Sequence, residues 1–133
     1  PRTYCGRRVQ RLSPAAERGD ADPLDICVIS ERPLSRTEVI LTARVIGGIQ
    51  AIDGGEADDK SVAVLDHDEF WEDVQDISQV ANVLVERLRH YFGTYKMMPG
   101  GSSQMEIKRV YDREYALRVV VAAMEDYGEA YGV

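Results

Sequence analysis

Residues 37–65, TEVILTARVIGGIQAIDGGEADDKSVAVL, decide the fold reading. Thr37–Ile46 is dense in β-branched and aliphatic residues, the types that fit a pleated, half-buried surface. Gly47-Gly48 interrupts the run before Ile49–Ile52 resumes it. Paired glycines inside a strand pattern predict a bulge or a tight corner. An acidic, glycine-containing turn follows, and Ser61–Leu65 is a further short strand. This spacing predicts an antiparallel sheet that closes on itself rather than strand–helix–strand units.

Working outward, Leu24–Ile29 reads as a buried strand and Ser30–Arg36 as a turn region around Pro33. Residues 6–19, GRRVQRLSPAAERG, lack either periodicity and read as a loop. Downstream, Asp76 or Ser78 can cap a helix running to about Tyr95. Val80, Val83, Leu84, Leu88, Tyr91, Phe92 and Tyr95 recur there at helical spacing and are expected inward. Met98–Ser103 reads as a loop and Met105–Val110 as another strand. Asp112 then caps a second helix to about Tyr127, with Tyr115, Ala116, Val119, Val120 and Ala123 inward. The expected architecture is α+β: a closed, five-stranded, mostly antiparallel, OB-like β-barrel with two flanking helices, forming one domain over residues 1–133.

The composition fits a globular chain, with 44% hydrophobic and 29% charged residues. No apolar run approaches the roughly 20 residues of a membrane helix. A net charge of −7 opposes a general nucleic-acid surface, which needs a basic face. Arg2, Arg7, Arg8, Arg11 and Arg18 stand against one acid, Glu17, in residues 1–19, and such a charge run reads first as a solvated segment. Cys5 and Cys27 are too few and too far apart for a cysteine metal site. Cys27 belongs to an apolar run and is expected buried, whereas Cys5, before Gly6, is expected in an exposed turn. Without a signal-like leader before Pro1, the expected location is cytoplasmic, with both thiols reduced.

The chemistry lies in two acidic clusters: Asp20, Asp22 and Asp25 in GDADPLD, and Asp53 and Asp58 in IDGGEADDK. Carboxylates gathered this closely repel one another and need cations to stay ionised together. All-oxygen donors suit Mg²⁺, with Mn²⁺ possible, rather than zinc. In an extended strand Asp20 and Asp22 share a face, and Pro23 ends regular pairing so that Asp25 can return toward them. The spacing does not match an EF-hand, because Pro23 and Leu24 fall at loop positions 4 and 5. Lys60, and Tyr95-Lys96 in HYFGTYK, supply ammonium groups and a hydroxyl suited to phosphate oxygens. Carboxylates for metal beside Lys and Tyr for an anion point to phosphoryl chemistry. Glu56, Asp59 and Asp66 read as solvated charges, His67 as exposed, and Trp71 as core or interface.

The order DADPLD, IDGGEADDK, DEFWEDVQDIS, RLRHYFGTYK resembles the soluble, Mg²⁺-dependent, barrel-shaped inorganic pyrophosphatases from about Pro1 to Tyr127. The resemblance implies that Asp20, Asp25 and Asp58 ligate a first metal, with Asp25 touching a second. It implies that Asp53 and Asp58 hold further Mg²⁺ carrying pyrophosphate. Asp22 would help deprotonate a metal-bridging water, Lys60 would act at the reacting centre, and Tyr95 and Lys96 would hold the leaving phosphate. It further implies a homo-oligomer, hexamer or dimer, with His90 on a helix that can face a neighbour. Ala21 stands where the family usually has glycine, a change that matters only if the backbone there needs positive φ. The family also places strands and part of its phosphate clamp before Pro1, so the chain is expected to be an N-terminally shortened domain. A non-catalytic barrel that keeps the metal and phosphate site is the alternative reading.

Overall fold

The computed structural model describes residues 2–101 and 104–133. The elements run α1 (Arg7–Arg11), β1 (Arg18–Gly19), β2 (Asp25–Ile29), β3 (Ala43–Asp53), β4 (Glu56–Ala57), β5 (Lys60–Leu65), a 3₁₀ turn (Ile77–Gln79), α2 (Asn82–Thr94), β6 (Met105–Asp112) and α3 (Arg113–Tyr131). Ser102 and Ser103, the end of the expected 98–103 loop, lie outside the described residues.

The long strand β3 organises everything. One edge pairs antiparallel with β4 and β5, the other with β6. Beyond them, β1 pairs parallel with β4 and β2 parallel with β5. The sheet is therefore mixed, and among the described residues it does not close. This corrects the expected closed, antiparallel barrel. The parallel pairing joins strands more than thirty residues apart in sequence, a long-range choice that local alternation does not encode (Asp25 opposite Lys60). The OB-like closed form is replaced by a curled sheet with helices packed on it.

The Gly47-Gly48 corner is real: the β3–β5 register shifts between Val45 and Gly47. Both glycines are required by close approach. A Cβ on Gly48 would stand 2.3 Å from the Tyr111 ring, and one on Gly47 would stand 2.7 Å from Ile77. The expected strand over Thr37–Ile46 starts only at Ala43, because β5 offers its first pairing partner there, at Leu65. Thr37–Ile40 is exposed and unpaired instead.

Helix α3 begins where the sequence indicates, with the Asp112 carboxylate accepting from Tyr115 N at 2.9 Å. Helix α2 begins later than expected. Asp76 caps the 3₁₀ turn in a reciprocal capping box with Gln79, and the α-helix starts at Asn82. Ala116, Val119 and Ala123 of α3 are buried with Cys5, Val9 and Tyr111. Leu84, Leu88 and Phe92 of α2 pack on Ile46, Ile49, Val62 and Val64 on the other side of the sheet, with Val80 and half-buried Trp71. Val83, Tyr91 and Tyr95, expected inward, are 68%, 56% and 41% exposed.

The expected loop 6–19 contains α1, a helix too short to form alone. Its N-terminus is held by buried Asp126 of α3, which accepts from Gly6 N, Arg8 N and Val9 N at 3.0–3.1 Å. Cys5, expected exposed, is buried under this contact. The arginine run is not a free arm: Arg8 pairs with Asp126 and Glu129, and Arg18 with Glu56.

Candidate active site

Strand alternation sets the site. Asp58 and Lys60 flank Asp59 at the entry to β5, so Asp58 and Lys60 share one face and Asp59 takes the other. Asp25 opens β2 directly opposite Lys60. The Lys60 ammonium consequently lies 2.6 Å from Asp25 Oδ2 and 2.7 Å from Asp58 Oδ1. Its side chain is only 2% exposed and lies beside the Phe92 ring, 6.0 Å from the centroid. Burial alone would lower its pKa, but the bonds to Asp25 and Asp58 outweigh that and raise it, so the ammonium stays charged.

A second lysine completes the arrangement. Lys96, just beyond α2, places Nζ 2.7 Å from Asp53 Oδ2 and 3.8 Å from Asp58 Oδ2. Asp53 ends β3, so the β3–β4 turn and the end of α2 converge on Asp58. The bond to Asp53 holds the Lys96 pKa well above the ordinary lysine range, against a smaller desolvation. Asp20 lies near Asp58 from the β1–β2 connection. Burial pushes its carboxyl up to about 6, opposed by the hydrogen bond from Asp22 N and aided by the Asp58 charge. Asp20 Oδ1 accepts that bond at 3.0 Å.

The structure thus brings together Asp20, Asp25, Asp53, Asp58, Lys60 and Lys96. It leaves two predicted residues outside these pairs. Asp22 is exposed, and its carboxylate joins none of them among the described residues. Tyr95 caps α2 and stacks on Tyr91 with centroids 5.4 Å apart, while Lys96 Nζ lies 5.5 Å from the Tyr95 centroid.

Two residues differ from their sequence reading. Asp59 is not solvated: it is 2% exposed and accepts from Tyr111 Oη at 2.9 Å and from Ala51 N at 3.3 Å. Burial raises its pKa to about 6 despite those bonds. It ties the strand beneath Asp58 and Lys60 to β6. Glu56 is engaged by Arg18 at 2.9 Å. His67 is exposed, as expected. The signal for Asp59 would have been strand alternation through Asp58 and Lys60, which puts the intervening residue on the opposite face of the sheet.

Ala21 has φ +64, the left-handed region. The condition under which its departure from glycine matters is therefore met. The conformation is fixed from both sides, with Ala21 N donating to Cys5 O and Cys5 N donating to Asp22 O.

The family model described as inorganic pyrophosphatase matches residues 1–128. The chain belongs to the inorganic pyrophosphatase family. It is 40% identical to an inorganic pyrophosphatase of Chlamydia caviae over 96% of this chain and 63% of that protein. Identity to one from Chlamydia trachomatis serovar D is 39%, over 96% and 66%. The fold is similar to the crystal structure of an inorganic pyrophosphatase from Neisseria gonorrhoeae, with TM-score 0.78 and 28% identity, covering 96% of this chain and 66% of that one. A structure from Thermus thermophilus gives TM-score 0.73 at 32% identity, covering 85% and 64%. This chain therefore spans just under two thirds of the length of the curated relatives it matches.

Proposed function

We propose that the protein carrying this chain hydrolyses inorganic pyrophosphate: one P–O–P bond breaks, water supplies the new oxygen, and two phosphates leave. The observation that carries the reading is the pairing of two lysines with three aspartates, and a fourth, Asp20, beside Asp58, in a chain of this family. Asp20, Asp25, Asp53 and Asp58 carry four negative charges against the two of Lys60 and Lys96. Among the described residues, no group of three or more His, Cys, Asp or Glu is already gathered as a finished metal site. The donor chemistry nevertheless fits a hard cation, because every donor is a carboxylate oxygen and the set is under-neutralised. These four aspartates would hold Mg²⁺, or Mn²⁺. Such ions, when bound, neutralise phosphate charge and make a bound water acidic.

The chain's own residues do the rest. Lys60 and Lys96 are charged and exchange carboxylate partners for phosphate oxygens as substrate enters. Tyr95 Oη donates a hydrogen bond to the departing phosphate. Asp22, exposed and without an ion pair among the described residues, accepts a proton from the attacking water. Phosphoryl transfer asks a protein mainly for such positioning and charge neutralisation. No helix among the described residues is long and apolar enough to cross a membrane. A cytoplasmic, homo-oligomeric enzyme is part of the proposal, supported by the two free cysteines and by the family.

Phosphate release from pyrophosphate by the full-length protein tests it. Release that EDTA abolishes and Mg²⁺ restores, with Ca²⁺ inhibiting, is the expected result. Release indifferent to EDTA, or none with Mg²⁺ present, refutes it.

A further inference from the structure

Tyr111 approaches the site from behind. It stands on β6 opposite Gly48 of β3, and Gly48 stands opposite Ser61 of β5. Because Gly48 has no side chain, the Tyr111 ring lies across β3, so close that a Cβ there would be 2.7 Å from Tyr111 Oη. The hydroxyl donates to Asp59 Oδ2 at 2.9 Å, and Asp59 Oδ1 accepts from Ala51 N at 3.3 Å. Buried Asp59 therefore joins the entry to β5 to both β3 and β6. It does so where the ladders leave a gap. The β3–β5 pairing ends at Ile49–Lys60, and the β3–β4 pairing begins at Ile52–Ala57. The β3–β6 register shifts at the same place, between Gln50 and Ala51. Asp58 N, donating to Ala51 O at 3.0 Å, is the backbone bond that spans this gap.

We infer that Asp59 and Tyr111 are a positioning pair, which holds the backbone of residues 58–60 so that the Asp58 carboxylate and the Lys60 ammonium are correctly placed. The inference rests on the proposed roles of Asp58 and Lys60 in metal and phosphate binding. The two faces of the sheet divide the work. Tyr111 packs with Ala116 and Val119 on the α3 side, whereas Lys60 lies beside Phe92 on the α2 side. Asp59 and Tyr111 thus act through the strand rather than on substrate. Fold stability alone does not call for a carboxylate here. Both of its donors are neutral, and burying an acid on neutral donors is less favourable than burying an apolar side chain in the same space. What the carboxylate adds is direction, since two bonds to two different strands fix its backbone in place. The site needs that, because a displacement of about 1 Å in a positioning group costs roughly 100-fold in rate.

The full-length protein carrying Tyr111→Phe, Asp59→Asn or Asp59→Leu tests the pair. Tyr111→Phe keeps the ring and removes the one hydroxyl, so it is the variant that folds with least disturbance. Val119→Ala, a core truncation on the same side of the sheet, serves as the comparison for lost stability alone. Urea unfolding gives the folded fraction of each variant, and kcat, KM and the Mn²⁺ dissociation constant are read per folded molecule. Tyr111→Phe and Asp59→Asn are each expected to lower kcat by about tenfold, and Asp59→Leu by about 100-fold. Mn²⁺ binding is expected to weaken in Asp59→Leu, with KM changed less than kcat in all three. The Tyr111→Phe/Asp59→Asn double variant is expected to be no slower than about the worse single variant, because the two residues act as one unit. Val119→Ala is expected to keep wild-type kcat and Mn²⁺ affinity on its folded fraction. Wild-type kcat and Mn²⁺ affinity in folded Tyr111→Phe and Asp59→Leu, or losses no larger than those of Val119→Ala, overturn the inference and leave the pyrophosphatase reading intact. Wild-type protein that neither binds Mn²⁺ nor releases phosphate overturns both.

Discussion

Replacing Ala21 by glycine is expected to stabilise the protein, although it removes a methyl group. Ala21 has φ +64 and is exposed, so its side chain adds backbone strain and little packing. The left-handed conformation costs an L-residue about 1–2 kcal/mol that glycine escapes. Glycine's added freedom in the unfolded chain takes back about 0.4–1 kcal/mol. The net gain is about 0.5–1 kcal/mol. Unfolding entropy of roughly 2 cal/mol/K per residue, over 133 residues, converts this to a rise in Tm of roughly 2–4 °C. The hydrogen bonds of Ala21 N and Asp22 O to Cys5 are backbone bonds and survive the change. Ala21→Val should move Tm the other way, since a β-branched residue tolerates positive φ least. Differential scanning calorimetry of the metal-free protein reads both. A lower Tm for Ala21→Gly, or an unaltered Tm for Ala21→Val, would refute the strain argument.

Other expectations follow from the same geometry. Gly48→Ala drives a methyl group into the Tyr111 ring and should destabilise by about 1–3 kcal/mol in urea unfolding, since the ring is packed and cannot yield freely. Asp126→Ala strips three N–H groups at the start of α1 of their acceptor and should cost about 2–4 kcal/mol by the same assay. Lys60→Met leaves buried Asp58 with only the more distant ammonium of Lys96, 3.8 Å away, and should lower stability by about 3 kcal/mol as well as abolish turnover. Asp22→Asn should reduce kcat far more than metal affinity, while Asp25→Asn should weaken metal binding first. Equal effects of both on metal affinity, with turnover intact, would remove that division of labour.

Part of the candidate site's geometry was legible because it is local. Asp58 and Lys60 share a face by strand alternation, Gly47-Gly48 marks a corner, and Asp112 caps α3 three residues ahead. What was not legible depends on partners distant in sequence. The short α1 exists because Asp126, 118 residues from Arg8, holds its N-terminus. Asp59 looks like one more surface acid until Tyr111, 52 residues away, is placed beneath it. The mixed sheet follows from β2 pairing parallel with β5, a choice that alternation alone cannot separate from an antiparallel barrel. Tyr91 and Val83 fit a helical stripe, yet the sheet covers only the part of α2 that carries Leu84, Leu88 and Phe92.

The central claim is that the aspartates around Lys60 and Lys96 form a divalent-metal site for phosphate chemistry. Electron paramagnetic resonance of Mn²⁺ titrated into the full-length protein, with and without inorganic phosphate, tests it most directly. Bound Mn²⁺ is expected in the wild type, tighter with phosphate, and that binding is expected to be lost in Asp58→Asn, whose carboxylate contacts both lysines. Wild-type protein that leaves Mn²⁺ free, or Asp58→Asn protein that binds it as the wild type does, would contradict the claim.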